Sequence, residues 1–193
     1  MTSQSVQRQV QDAQPEFDFL PPFSALEVRP AASQELSPLA RLASSTIPGV
    51  QPVLHHLEKM HARDPEGFFS FRRAGELIGG CAFLHLNYRG HDALMLDRLN
   101  TRMPDLNHLA EAGERPEAIY WWGTTGAGRS ALGPIAARFA GARYRAVDIY
   151  GRVATERGRE LMVGLGFRPV SSWSGDLWVY RRCVDQHALD QAA

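Results

Sequence analysis

The residues best suited to chemistry lie in one run, 123-GTTGAGRSALG-133. Gly123, Gly126, Gly128 and Gly133 leave out Cβ atoms where a ligand could touch backbone. The run follows Ala118-Ile119-Tyr120-Trp121-Trp122, an apolar stretch short enough to be a buried strand. It leads into a helix expected to start near Ser130 and end at Gly141. A helix start presents unbonded N–H groups and the positive end of the helix dipole. Strand, glycine turn and helix N-terminus together make a phosphate site. Two cofactor classes use such a site: coenzyme A, through its pyrophosphate, and nucleotides. As a nucleotide loop, Gly123 to Ser130 reads G-x-x-x-x-G-K-[ST] with Arg129 in the lysine position. Arginine does not substitute freely there, the chain that follows is short for a parallel sheet, and Asp148 alone could partner Mg²⁺. A tight turn that binds nothing is the third reading.

Other polar groups carry less. His55, His56 and His61 do not stand four residues apart on one helix face, so they predict packing or surface roles and no metal site. His85 and His91 with Cys81 form no ligand set either. Cys81 and Cys183 are the two cysteines; with no second pair to form a disulfide framework they suit a reducing compartment.

The elements that must position the glycine run follow from pattern. Leu26 to Arg29 alternates and ends at Pro30, a short strand. Ser33 is the expected N-cap of a helix through Ala43, with Leu36, Leu39 and Leu42 on one face. A loop over 44–49 precedes a second helix from Val50 to Ala62. Phe68 to Arg73 and Leu77 to Leu86 read as a hairpin around Ala74-Gly75-Glu76. Residues 87–117, broken by Gly90, Pro104, Gly113 and Pro116, read as an insertion with a short helix over His91 to Leu99. Its Asp92, Asp97 and Arg98 are a solvated face or the wall of a substrate cavity. Arg145 to Tyr150 is the next strand, Thr155 caps a helix closed by Gly166, and a hairpin of Pro169–Val170 with Leu177–Arg181 completes the sheet. Residues 1–23 read as a mobile tail with a possible docking segment at Phe17, Phe19 and Phe23. A single domain spans 24–183, and 184–193 is a C-terminal tail.

This order of elements resembles the GNAT acyltransferases over roughly residues 24 to 182. The family's loop pattern is Gln/Arg-x-x-Gly-x-Gly/Ala. Here Gly133 fits its last position, Ala131 replaces its first glycine, and Gly128 stands where Gln or Arg is usual. A later family segment, N-x-x-A-x-x-x-Y-x-x-x-GF, resembles Thr155 to Gly166-Phe167, with Met162 in place of the tyrosine. Leu26-Glu27-Val28-Arg29-Pro30-Ala31 is similar to the usual first strand.

The resemblance implies an α/β fold with a mixed, mostly antiparallel central sheet flanked by helices. It implies an N-acyltransferase in which an amine attacks an acyl thioester directly. The donor would be acetyl-CoA or a longer acyl-CoA, or an acyl carrier protein, and no metal is needed. Backbone N–H groups at Trp121, Trp122 and Gly123 would meet the acyl carbonyl and pantetheine. Gly128, Arg129, Ser130, Ala131, Leu132 and Gly133 would hold the pyrophosphate, with Thr155 at the start of the next helix. The carboxylate base common on the family's strand is missing from Ile119-Tyr120-Trp121-Trp122. His85 is the alternative base and Tyr150 the alternative acid for the thiolate, each also readable as a packed structural residue. Trp121 and Trp122 point to opposite faces, one into the core and one toward a pocket. The departures at Gly128, Ala131 and Met162 suit a non-catalytic acyl-CoA-binding or regulatory module as a second reading.

Composition bounds the rest. The 193 residues carry 21 basic and 21 acidic side chains. That leaves no electrostatic footprint for nucleic acid. No apolar run reaches the ~20 residues of a membrane span, and the glutamine-rich start does not resemble a signal peptide. The expectation is a cytoplasmic, bacterial acyltransferase with an amine acceptor, no nucleic-acid or membrane partner, and room for a homodimer.

Overall fold

Alternation in the central strands sets the architecture, because each strand sends successive side chains to opposite faces. The computed structural model describes residues 25–182 except 48–49, 127, 154 and 172–175. The expected tails, the phenylalanine segment at 17–23 and Cys183 lie outside the described residues. Among the described residues seven strands form one sheet in the order β1-β2-β3-β4-β5-β7-β6. They are β1 (Glu27–Pro30), β2 (Phe68–Arg73), β3 (Glu76–Leu86), β4 (Ala118–Thr125), β5 (Ile149–Arg152), β6 (Arg168–Pro169) and β7 (Leu177–Tyr180). Among the described residues only β4 and β5 are parallel; the other neighbours are antiparallel. The sheet is mixed and mostly antiparallel, the class expected.

Five helices cover it: α1 (Leu36–Thr46), α2 (Leu54–Arg63), α3 (Tyr88–Met95), α4 (Gly128–Phe139) and α5 (Glu156–Gly164). One core packs Leu36, Leu57, Met60 and Leu94 of α1, α2 and α3 on Leu84, Leu86, Tyr120 and Tyr150. The other packs Ala131, Ile135, Phe139 and Met162 of α4 and α5 on Cys81, Phe83, Ile119 and Ile149. Alternation along β3 and β4 thus separates two apolar faces, each buried by its own helices.

Several boundaries differ from expectation for local reasons. Ser33 does not cap α1: Ser33–Glu35 is a 3₁₀ turn, and the Glu35 carboxylate accepts the Ala32 N–H at 2.8 Å. α1 continues to Thr46, into the expected loop, with Ser44 and Thr46 hydroxyls donating to carbonyls four residues back. α2 begins at Leu54, after Pro52, which has no N–H to donate and restricts the residue before it. In the insertion α3 starts earlier than His91, because Asn87 Oδ1 accepts the Gly90 N–H at 3.0 Å and caps it. β5 begins at Ile149 and not Arg145: Ala142–Tyr144 is a 3₁₀ turn, and Ala146 takes a left-handed φ of 62°. Thr155 caps α5 as expected, accepting from Gly158 N at 3.1 Å.

Candidate functional site

β4 and β5 run together for only three residue pairs, the last being Trp121 with Gly151. β4 then continues along β3 to Thr125. Among the described residues no strand pairs with that edge of β4 beyond Trp121, so its backbone groups there are left out of the sheet ladder. At the same place the β3–β4 register shifts: Phe83 faces Trp121 but Ala82 faces Gly123, leaving Trp122 as the extra residue of a bulge. A bulge turns a backbone group out of the ladder and re-aims its side chain.

The expected glycine loop is shorter than the sequence suggests. Gly123, Thr124 and Thr125 belong to β4, and α4 starts at Gly128 and not Ser130. Gly126 has φ 79°, and a Cβ there would come within 2.2 Å of Ile78 O. That glycine answers to close packing on β3 and not to a ligand. The first turn of α4 offers the N–H groups of Gly128, Arg129 and Ser130. Ala131 is buried beneath it. Gly133 lies in the second turn, and a Cβ there would meet nothing within 4 Å. Arg129 leans against α5, its Nη2 3.3 Å from where a Gly164 Cβ would be. A helix N-terminus with a guanidinium beside it suits a pyrophosphate. The nucleotide-loop reading loses its support. β5, the strand after α4, is parallel to β4, but the remaining strand pairs are antiparallel and do not form the parallel sheet that such a loop serves. Asp148 is held by Arg181 Nη1 at 2.6 Å and accepts the Arg182 N–H at 3.0 Å.

On the α1 side of the sheet, the far wall of β4 borders a cavity of about 590 Å³. Its lining includes Leu36, Leu39, Ala43 and Ile47 of α1, Leu57 of α2, Gly80 and Ala82 of β3, and Tyr120, Trp122, Gly123, Thr124 and Thr125 of β4. Trp122 faces it, its indole N–H donating to Thr101 O at 2.6 Å. Trp121 lies on the opposite face, 5.9 Å from the Phe83 ring centre, with its N–H donated to Thr124 Oγ1. The alternation expected of the pair is what the strand adopts. Among the described residues no aspartate, glutamate, histidine or lysine lines the cavity, and Arg102, at the exposed rim, is the one charged residue that does. Burial pushes the Tyr120 hydroxyl up to about 12, with the Arg152 charge opposing the shift. Burial likewise pushes the Cys81 thiol to about 12, against a hydrogen bond from Thr124.

The two residues expected to move protons do not line this cavity. His85 lies on the α4 face, its ring 5.0 Å from that of Tyr144, and its Nδ1 donates to Asp64 Oδ2 at 2.7 Å. The cleft beside it measures about 10 Å³, too small for a substrate. Tyr150 faces the α1 side, buried, with its hydroxyl 3.3 Å from His91 Nε2. Burial raises its pKa, partly offset by Arg181. Met162 fills the place where β4 and β5 part: a Cβ on Gly151 would meet its methyl at 2.6 Å and Trp121 Cβ at 3.6 Å. The Thr155 hydroxyl is spent on capping α5.

The histidines of α2 disperse. His56 Nε2 bonds Pro104 O and His61 Nε2 bonds Ala31 O, each at 2.8 Å, while His55 stands exposed near Glu58. Among the described residues no three His, Cys, Asp or Glu side chains gather as metal ligands, and no helix is long and apolar enough to cross a membrane. Of the insertion residues, Asp97 pairs with Arg152, which also holds Asp176 at 3.0 Å. Tyr120 was missed as a cavity residue, although it stands two positions from Trp122 and so shares its face.

No protein-family model and no curated protein matches the sequence. Solved structures do. The loading GNATL domain of CurA from Lyngbya majuscula is 14% identical with a TM-score of 0.55, over 81% of this chain and 98% of that one. The diaminobutyrate acetyltransferase EctA from Paenibacillus lautus, in complex with L-2,4-diaminobutyric acid and coenzyme A, is 12% identical with a TM-score of 0.55, over 82% and 96%. A GNAT-family acetyltransferase from Listeria monocytogenes is 15% identical with a TM-score of 0.50, over 80% and 92%. At these identities the likeness is one of fold.

Proposed function

We propose, from the premise that this chain has the GNAT fold, that it is an N-acyltransferase moving an acyl group from an acyl-CoA to an amine. One observation carries this: β4 parts from β5 at the Trp122 bulge and leaves a free backbone edge leading from a large cavity to the first turn of α4. In this scheme the Gly128, Arg129 and Ser130 amides, with the Arg129 guanidinium, hold the pyrophosphate. The free edge of β4 bonds the amides of the pantetheine arm as an added strand would. The amides at the bulge, Trp122 and Gly123, donate to the thioester oxygen and stabilise the charge that develops there.

The amine nitrogen attacks the carbonyl carbon, the C–N bond forms, and the C–S bond breaks. The amine proton leaves to water: among the described residues no carboxylate or imidazole lines the cavity beside the thioester. The thiolate takes its proton from solvent: Met162 offers none, and the Tyr150 hydroxyl is engaged by His91. His85 has no part in the transfer. Holding the two reactants together supplies the rate.

The same absence of a base favours a second reading, a module that binds acyl-CoA without turnover. Release of free thiol from acyl-CoA, followed with a panel of amines between pH 6 and 10, separates the two. Transfer predicts amine-dependent release that rises about tenfold per pH unit up to the amine's own pKa. Binding of the ester with no amine-dependent release assigns the module instead.

A further inference from the structure

We infer that the cavity under α1 is the berth of a medium-length acyl chain, so that the donor is a thioester of about ten carbons and not acetyl-CoA; this rests on the donor site proposed above. At about 590 Å³ the cavity holds roughly 20 groups of water size. An acetyl group would leave most of that space unfilled.

The chemistry of the wall decides between an acyl chain and an acceptor. Leu36, Leu39, Ala43, Ile47, Leu57 and Trp122 present carbon. An amine acceptor reaches the protein as a cation, and a buried cation needs a carboxylate. Among the described residues neither aspartate nor glutamate lines the cavity, and the one charge that does, Arg102, repels an ammonium. A hydrocarbon chain needs no such partner and gains with each methylene it buries.

Position agrees with chemistry. The same cavity reaches Gly123, Thr124 and Thr125, the stretch of β4 assigned to the thioester and pantetheine. A chain leaving the carbonyl there would run over Ala82, whose small side chain keeps the floor low. At Gly80 an added Cβ would strike Leu39 at 2.5 Å and Phe69 O at 2.6 Å, so Leu39 packs directly on that glycine and closes this end of the floor. At the mouth Val53 and Met103 are 50% and 49% exposed. Apolar residues at the rim let the end of a longer chain pass without meeting charge.

The test is calorimetric titration of the intact protein with acetyl-CoA, decanoyl-CoA and decylamine. Decanoyl-CoA is expected to bind at least 100-fold more tightly than acetyl-CoA, a modest figure against about fourfold per buried methylene. Ala43→Phe, which fills the cavity from α1, is expected to bring that ratio within about fivefold at an unchanged melting temperature. Equal affinity for the two esters in the wild-type protein overturns the inference, whether or not the variant folds. A ratio that survives Ala43→Phe in a folded variant also overturns it. Saturable decylamine binding with no chain-length preference among the esters assigns the cavity to an apolar acceptor, leaving the donor site standing. Failure of both esters to bind removes the donor site and the inference together.

Discussion

Asp64 accepts from His85 Nδ1 at 2.7 Å and from Arg143 Nη2 at 2.5 Å. Glu66 beside it accepts from Arg143 at 2.7 Å and from the Tyr144 hydroxyl at 2.6 Å. Burial alone would raise both carboxyls. Hydrogen bonds from His85 and Arg143 on Asp64, and from Tyr144 and Arg143 on Glu66, outweigh it and hold both below the usual range. A carboxyl depressed in the folded state gives stability that is complete above its unfolded value of about 4 and is lost as pH falls through the folded value. Asp64→Asn leaves Arg143 and His85 short of an anion, and is expected to cost about 3–5 kcal/mol at pH 7 in urea unfolding. It is also expected to flatten the loss of stability below pH 4. An unchanged acid limb would show that Asp64 titrates alike in both states. His85 was legible in the sequence as a candidate base, but not the face of the sheet it would take. Odd positions of β3 face α4, so the imidazole is carried away from the cavity by the pleat that sends Ala82 and Leu84 toward α1. Tyr120 was hidden for the opposite reason: beside two tryptophans it reads as more core.

At the scale of elements, the pairing of a splayed strand with a helix N-terminus does the positioning. The strand–glycine–helix order was plain in the sequence, since Gly126 and Gly128 interrupt an apolar strand and an alanine-rich helix. The site's exact register was not. Gly126 is required by the 2.2 Å approach to Ile78 O, a contact between strands that sequence spacing does not reveal, and it moves the helix start two residues forward. The first turn of α4 therefore holds the N–H groups of Gly128, Arg129 and Ser130, which the proposed function assigns to the pyrophosphate. Arg129→Glu tests this at the first turn. A carboxylate there favours the helix dipole, so the fold is kept. It also sets a negative charge against the pyrophosphate. The expected result is acyl-CoA affinity weaker by at least tenfold at an unchanged melting temperature. Unchanged affinity would place the phosphates elsewhere.

The whole molecule is a sheet with two separately buried faces, and the proposed chemistry sits where its one parallel pair comes apart. The order of strands could be read from the sequence because each strand ends at a turn residue and each helix has a periodic stripe. The cavity could not. Its walls come from α1, the segments 50–53 and 101–103, and the middle of β3 and β4, and only folding brings these together. The most direct test is an amide ¹H–¹⁵N NMR titration of the full chain with coenzyme A, alongside a titration with Mg-ATP. The expected result is that coenzyme A moves the amides of Trp122 to Thr125 and of Gly128 to Ser130 more than any others, and that Mg-ATP does not. Shifts confined to other elements, or a response at α4 to Mg-ATP alone, would contradict the acyl-CoA site on which the proposed function stands.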